Sequence, residues 1–247
     1  MNEHYYYLIL NLACIGFPFL LSFDKKVAFH KGFKAFFPAC TIVALVFLVW
    51  DGVFTQQGIW GFNPDYLTGI RVVNLPLEEC LFFFTIPYAC VFTYCVLKTW
   101  LPAFHSGKLT SPISYVLLLL LFAFAMFFFD HLYTFVTCLL LFITIALHQF
   151  KWKKSYFKYF YSSFLVLIIP FLTCNGILTG LDFYNYPVLN FNPESISDQI
   201  VWYNNQHNLG VRVFSVPLDD FFYGALLILW NISLFEYFKE KQVQTQH

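Results

Sequence analysis

Seven apolar blocks dominate this chain, most of them about 18 residues long or more, which is enough to cross the roughly 30 Å of hydrocarbon in a bilayer. They are expected near 5–22, 35–50, 76–97, 113–129, 131–149, 157–174 and 216–235. A soluble fold would have to bury all of them within 247 residues, yet only 11% of the chain is charged. Soluble domains carry about 25%, because their surfaces face water. The blocks therefore predict an all-α integral membrane protein. The narrowest division separates the fourth and fifth blocks, where Asp130 and His131 must sit in a tight helical turn. The first block follows MNEHYYY, without a basic leader or a small-residue cleavage site, so it is expected to be a retained span.

The charges check the count independently. With seven spans, the loops after spans one, three and five and the C-terminus share one side, and they hold 12 of the 14 Lys and Arg residues. Only Arg71 and Arg212 fall opposite, together with most of the acids. The positive-inside rule places the lysine-rich side in the cytoplasm and the N-terminus outside, in a cell (inner) membrane. The seven cysteines lie in or at the ends of apolar blocks with no CxxC pair, which argues for packing and against a zinc site or a disulfide framework.

The chain also repeats itself. Gly69-Ile-Arg-Val followed by Pro76-Leu-Glu78-Glu79 recurs, 141 residues on, as Gly210-Val-Arg-Val followed by Pro217-Leu-Asp219-Asp220. Phe62-Asn-Pro-Asp matches Phe191-Asn-Pro-Glu, and Asp51-Gly52 matches Asn175-Gly176, at offsets of 129 and 124. Ordered matches of this kind indicate duplication, with net insertions of five and twelve residues in the second outer loop. The expected organisation is a single membrane domain, 1–247, with a first repeat at 5–100, a linker and fourth helix at 101–129, and a second repeat at 130–238. The fourth span keeps both three-helix repeats in the same orientation, so their acidic motifs face one leaflet and can share a cavity.

Proline suits the first turn of a helix, so both PLEE and PLDD read as helix starts. Intramembrane acids are costly and point to function, although a first-turn acid also gains from the helix dipole. Neighbouring helical residues point about 100° apart, so each pair aims one carboxyl at the cavity. The other must reach an arginine, a neighbouring helix or the headgroups. Arg71 and Arg212 are candidates as counter-ions or as headgroup contacts. Crowded carboxyls in a low-dielectric site cannot all stay ionised, which suits general acid chemistry.

These residues resemble the membrane-integral lycopene cyclases of bacteria, archaea and fungi that lack a flavin-binding domain, in the fused two-repeat form found in bacteria. The likeness rests on Pro76-Leu-Glu-Glu with Leu81-Phe-Phe-Phe84, on Asp51-Gly52 with Gly58-Ile-Trp60, and on Pro217-Leu-Asp-Asp-Phe-Phe-Tyr-Gly224. It implies redox-neutral ring closure, β or a related ring, at the ends of lycopene or a similar long apolar polyene. Glu78, Glu79, Asp219, Asp220 and Asp51 become the candidate acids and bases. Trp60, Phe82, Phe83, Phe221, Phe222 and Tyr223 become candidates to line the site and face a carbocation, though most could be ordinary packing. The second copy departs from the first by carrying Asp for Glu and Asn175 for Asp51, so the halves are not expected to be chemically equivalent. No metal, cofactor or nucleic acid is implied; the partners expected are the polyene and the bilayer.

Other classes fit less well. The seven histidines, among them His105 and His247, lack the HxxxH or HxxHH spacing of a di-iron oxygenase, and the last span has no lysine for a retinal Schiff base. A membrane prenyltransferase needs spaced aspartates for Mg²⁺ and diphosphate, whereas these acids are adjacent. A small transporter would suit the repeats, but the Phe- and Leu-rich spans offer little to line an aqueous path.

Overall fold

The computed structural model describes residues 3–101 and 107–245; residues 102–106 of the expected linker, including His105, and the terminal residues, including His247, lie outside them. Among the described residues seven helices are long and apolar enough to cross a membrane. They are α1 (Tyr6–Leu21), α2 (Phe33–Gln56), α3 (Leu77–Trp100), α4 (Gly107–Phe127), α5 (Leu132–Ala146), α6 (Phe157–Thr179) and α7 (Leu218–Gln244). Residues 128–131 form the tight turn between α4 and α5, and a π turn, Leu147–Trp152, extends α5.

Several helices run further than the apolar blocks suggested, and at the end of the bundle that holds the acid pairs two of them do, α2 and α6. The second and sixth blocks end at 50 and 174, but α2 continues to Gln56 and α6 to Thr179. Asp51 and Asn175 are therefore helical residues, not loop residues. Polar groups extend a helix past its apolar stretch here because their side chains turn inward, where partners meet them.

Short strands in the loops that precede α3 and α7 were not expected. Strands β2 (Arg71–Val72) and β3 (Leu75–Pro76) form a hairpin just before α3, and β5 (Arg212–Val213) and β6 (Val216–Pro217) form its copy before α7. The register is identical, Arg opposite Pro in both. The turns match as well: Val73 and Phe214 take φ of 58° and 57°, and Gly69 and Gly210 take 83° and 68°. A left-handed conformation suits glycine but is unusual for a β-branched residue. Its recurrence at equivalent positions marks a shared device. Each hairpin is tied to the second helix of its own repeat: Asn74 Nδ2 donates to Gly52 O at 2.7 Å, and Ser215 Oγ donates to Gly176 O at 3.1 Å.

A third ladder joins the halves. β1 (Trp60–Phe62) pairs antiparallel with β4 (Val201–Tyr203), with Gly61 opposite Trp202. The offset between these strands is 141, so the extra residues of the second loop all lie between α6 and β4. Both Phe-Asn-Pro motifs lead into a 3-10 turn, Pro64–Tyr66 and Pro193–Ser195, but the first turn follows β1 directly whereas the second precedes β4, and Phe191 is exposed.

The helices interlock across the repeats. α1 packs on α3 and α5 on α7, while α2 of the first repeat packs on α7 and α6 of the second on α3. An approximate twofold thus exchanges α1, α2, α3 with α5, α6, α7, and α4 lies along α5.

Candidate active site

Both hairpins deliver their acidic pairs into the bundle in the same way. The first acid of each pair folds back on its own loop. Glu78 Oε1 accepts the Thr68 N–H at 2.7 Å, and Asp219 Oδ2 accepts the Leu209 N–H at 3.1 Å. Thr134 also donates to Asp219, but its counterpart in the first repeat's sequence is Leu8, which has no hydroxyl, and Glu78 Oε2 is buried without a partner among the described residues. Glu78 and Asp219 are fully buried, and neither lines the cavity.

The second acid of each pair points inward. Glu79 and Asp220 stand at one end of a cavity of about 550 Å³, together with Asp51 from α2. Three carboxyls drawn from both repeats thus meet in one place. Their partners are neutral donors. Tyr7 of α1 donates to Glu79, and Tyr133 of α5 donates to Asp220 at 2.6 Å. Asp220 is the most fully bonded, since its other oxygen accepts Asn175 Nδ2 at 2.6 Å and the Tyr203 hydroxyl at 3.0 Å. Asp51 Oδ1 accepts the Trp60 indole N–H, while Asp51 Oδ2 is buried with no partner among the described residues. On β4, outside the long helices, burial first and then the Asp220 charge hold the Tyr203 hydroxyl well above its ordinary pKa, so it remains a donor.

Away from the acids the cavity is apolar. It follows one face of α1 through Leu10, Cys14 and Pro18, positions three or four apart. From Tyr7 to Pro18 it descends about 16 Å, near half of the hydrocarbon thickness. Along the seam between α1 and α6 its lining includes Ala13, Phe17, Pro170 and Thr173, all exposed on the bundle surface. The cavity therefore has a sideways mouth facing the bilayer. The Cys14 and Cys174 sulfurs approach to 3.0 Å across that seam.

The aromatic candidates divide. Trp60, Phe82 and Tyr223 line the cavity, as do Phe62, Tyr203, Tyr7 and Tyr133. Phe83, Phe221 and Phe222 are not among the residues that line the cavity: Phe83 packs against Phe47, Phe222 against Phe124, and Phe221 against Phe171, which itself forms part of the cavity wall.

The arginines do not pair with the acids. Arg71 is exposed and Arg212 is 1% exposed, yet each donates from Nη1 to the carbonyl three residues on, Asn74 O at 3.4 Å and Ser215 O at 2.9 Å. Their shared work is to close the hairpin turn. Arg212 also donates to Asn205 Oδ1 at 3.0 Å and lies over the Tyr203 ring. Burial lowers its pKa, opposed by the charge of Asp220. Among the described residues no ion pair joins either arginine to a carboxylate.

Sequence reasoning missed Tyr7, Tyr133, Tyr203 and the bond from Asn175. A signal existed for the first two: Tyr7 precedes Asp51 by 44 residues and Tyr133 precedes Asn175 by 42, so they occupy equivalent places in the repeats. Among the described residues no cluster of His, Cys, Asp and Glu is arranged to hold a metal ion.

Comparison with known proteins adds an independent line. The family model described as lycopene cyclase matches residues 4–97 and 130–238, which are the two repeats without α4. Three curated fungal proteins, each named bifunctional lycopene cyclase/phytoene synthase, are similar over shorter stretches. The Aspergillus niger protein is 36% identical over 56 residues, covering 23% of this chain and 10% of that protein. The Colletotrichum graminicola protein is 29% identical over 72 residues, covering 29% and 12%. The Podospora anserina protein is 34% identical over 61 residues, covering 25% and 10%. The matches thus span about a tenth of those longer relatives. No solved structure matches the chain.

Proposed function

The chain belongs to the lycopene cyclase family, and on that premise we propose that it closes a ring at the end of a linear, lycopene-like polyene by acid–base chemistry at Asp51, Glu79 and Asp220. One observation carries the reading. Carboxyls from both repeats converge at one end of an apolar cavity that opens on the flank of the bundle between α1 and α6. A substrate without polar groups gives a site nothing to hold but its shape, and this cavity offers shape alone until the acids are reached.

The reaction is proton-neutral. A carboxyl adds a proton to the terminal double bond and leaves a tertiary cation. An internal double bond attacks that cation, forming the ring carbon–carbon bond and moving the positive charge into the ring. A carboxylate then removes a ring proton, so one proton enters, one leaves, and no electrons are exchanged with the protein. Asp220, surrounded by three donors, is held as the acceptor. Asp51 and Glu79 supply the proton, and the unpartnered Oδ2 of Asp51 has room to carry one. Positioned acid–base groups of this kind contribute about 10²–10⁴-fold in rate. Aromatic faces of Trp60, Phe82 and Tyr223 add about 0.5–2 kcal/mol each to the cation, and the apolar wall keeps water from quenching it.

Orientation and organisation complete the proposal. The acid end lies at the outer leaflet and the lysine-rich end in the cytoplasm, giving an outside N-terminus and an inside C-terminus in the cell membrane. Glu78, Asp219, Arg71 and Arg212 position the helix starts. Residues 5–100 and 130–238 act as the two repeats, with 101–129 as connector.

Expression in a host that accumulates lycopene, followed by separation of the pigments, tests the function directly. Cyclic products are expected from the parent, and their loss on Glu79→Gln or Asp220→Asn at equal membrane level. Unchanged lycopene beside well-inserted parent protein would refute the proposal.

A further inference from the structure

A twofold that exchanges the repeats should produce two cavities, and among the described residues the carboxyl-lined cavity lies on one side of the axis. The cavity lies between α1, α3, α6 and α7. Its symmetry mate belongs between α5, α7, α2 and α3. Equivalent positions are fixed by shared bonds and motifs: Tyr7 with Tyr133, Asp51 with Asn175, Glu79 with Asp220.

Carrying these offsets along the helices shows what became of the second cavity. Where the open side has Cys14, Ala89, Cys174 and Gly224, the mate has Leu140, Trp230, Trp50 and Phe83. Ala13 is likewise replaced by Leu139, while Phe164 for Cys40, Ile168 for Ala44 and Phe17 for Ile143 run the other way. Those three lie further from the acids, or on the outer wall of the bundle, than the Trp50, Phe83 and Trp230 cluster that meets at Phe47. The large side chains are packed on one another. Phe47, itself fully buried, has its ring centroid 5.5 Å from Trp50, 6.0 Å from Phe83 and 5.6 Å from Trp230. Trp50 reaches Tyr223 at 5.0 Å, and Trp230 Nε1 donates to Thr144 at 3.0 Å, which fixes the indole in place. An aromatic block fills the volume that small residues leave open across the axis.

We propose that Trp50, Phe83 and Trp230 make this a one-pocket enzyme that closes one polyene end per binding event. The inference rests on the cyclase reading and deepens it. With one end against the acids, the remaining chain leaves through the α1–α6 mouth into lipid. Aromatic packing occupies the place where the symmetry-related pocket would receive the other end. A second ring therefore requires the monocyclic product to leave, reverse end for end in the bilayer, and rebind.

A pulse–chase experiment decides this on the parent protein in membranes. Isotopically labelled lycopene is supplied for less than one turnover, and a twentyfold excess of unlabelled lycopene follows. Labelled monocyclic product should appear, and label in any bicyclic product should fall at least tenfold; accumulation of monocyclic product alone supports the proposal equally. Label passing undiluted into the bicyclic product would overturn the proposal. Absence of any ring from well-inserted protein would instead sink the cyclase reading. Two double variants locate the pocket. Ala89→Trp with Cys174→Trp plugs the open side and should lower first-ring formation at least 10²-fold, whereas Trp50→Cys with Trp230→Ala should keep it within threefold. The opposite pattern would place the working pocket on the other side of the axis, and if a variant fails to insert, the pulse–chase result stands by itself.

Discussion

Adjacent acids with opposite duties give the sharpest test of this site. Asp219 and Asp220 are neighbours in the first turn of α7, yet one braces the preceding loop and the other faces the cavity. In Asp219→Asn, a carboxylate that accepts from Leu209 N–H and the Thr134 hydroxyl becomes an amide with one acceptor oxygen. Hydrogen bonds to a charged group are worth about 1.5–3 kcal/mol. Losing one and weakening the other should cost about 2–4 kcal/mol of stability, while turnover per inserted molecule stays within a few fold. Glu78→Gln loses less, about 1–2 kcal/mol, because Glu78 has a single backbone donor. Glu79→Gln and Asp220→Asn remove a group that moves a proton and should lower turnover at least about 10²-fold, or about 2.7 kcal/mol of barrier. The assay pairs product separation from a lycopene-accumulating host with thermal denaturation of the solubilised protein, both scaled to membrane level. If Asp219→Asn and Glu78→Gln abolish turnover at unchanged melting temperature while the inward pair stay active, the assignment is inverted and the cavity is not the site.

Three further outcomes are expected. Tyr7→Phe and Tyr133→Phe each remove a donor to a cavity carboxyl and should slow ring formation by about 10-fold without loss of insertion, measured as initial rates; unchanged rates in both would make these tyrosines packing residues. Oxidation of the Cys14–Cys174 pair with diamide, which takes two electrons from the dithiol as the disulfide forms, should staple α1 to α6 across the mouth and depress activity until a thiol reductant is added; Cys14→Ala should be indifferent to the oxidant. Reporter fusions should show the C-terminus in the cytoplasm, and a reporter active only outside would reverse the orientation given to the acids.

Much of the architecture could be read from the chain because bilayer physics leaves few options. Backbone groups in hydrocarbon must be satisfied within a helix or a closed barrel, so long apolar blocks have one reading. The helix starts at Leu77 and Leu218 follow directly from proline and the acid pairs. Less legible were groups whose meaning depends on a distant partner. Trp60 is drawn to Asp51 by a ladder between β1 and β4, strands that are three residues long and separated by more than 130 residues. Tyr7 and Tyr133 are two of 16 tyrosines, and only the folded bundle brings their hydroxyls to carboxyls. The arginines misled for the opposite reason. A cation near an acid pair invites a salt bridge, but the hairpin turn places a carbonyl closer than any carboxylate.

The duplicated hairpin explains why the acids come in pairs at all. A helix that begins inside the bundle exposes its first N–H groups, and the loop before it carries unpaired N–H groups of its own. In both repeats the first acid accepts one of these loop N–H groups, from Thr68 or Leu209, and so anchors the loop to the helix start. The second acid, a third of a helical turn further round, is thereby held at a fixed angle toward the cavity. A lone acid at that depth could turn away to its own loop; with that position already filled by its neighbour, it has no such escape. Under the proposed mechanism the pair separates holding from proton transfer, and the divergence between copies follows the same line. Both anchors keep the same backbone bond, but on the cavity side Asp51 of the first half is answered by Asn175, which donates to Asp220 where an acid would repel it. Restoring Asn175→Asp should place a second carboxyl beside Asp220, remove one of its three donors, and slow ring formation more than the neutral Asn175→Ala does. Equal rates in those two variants would show that Asn175 matters for packing and leaves the charge of Asp220 untouched.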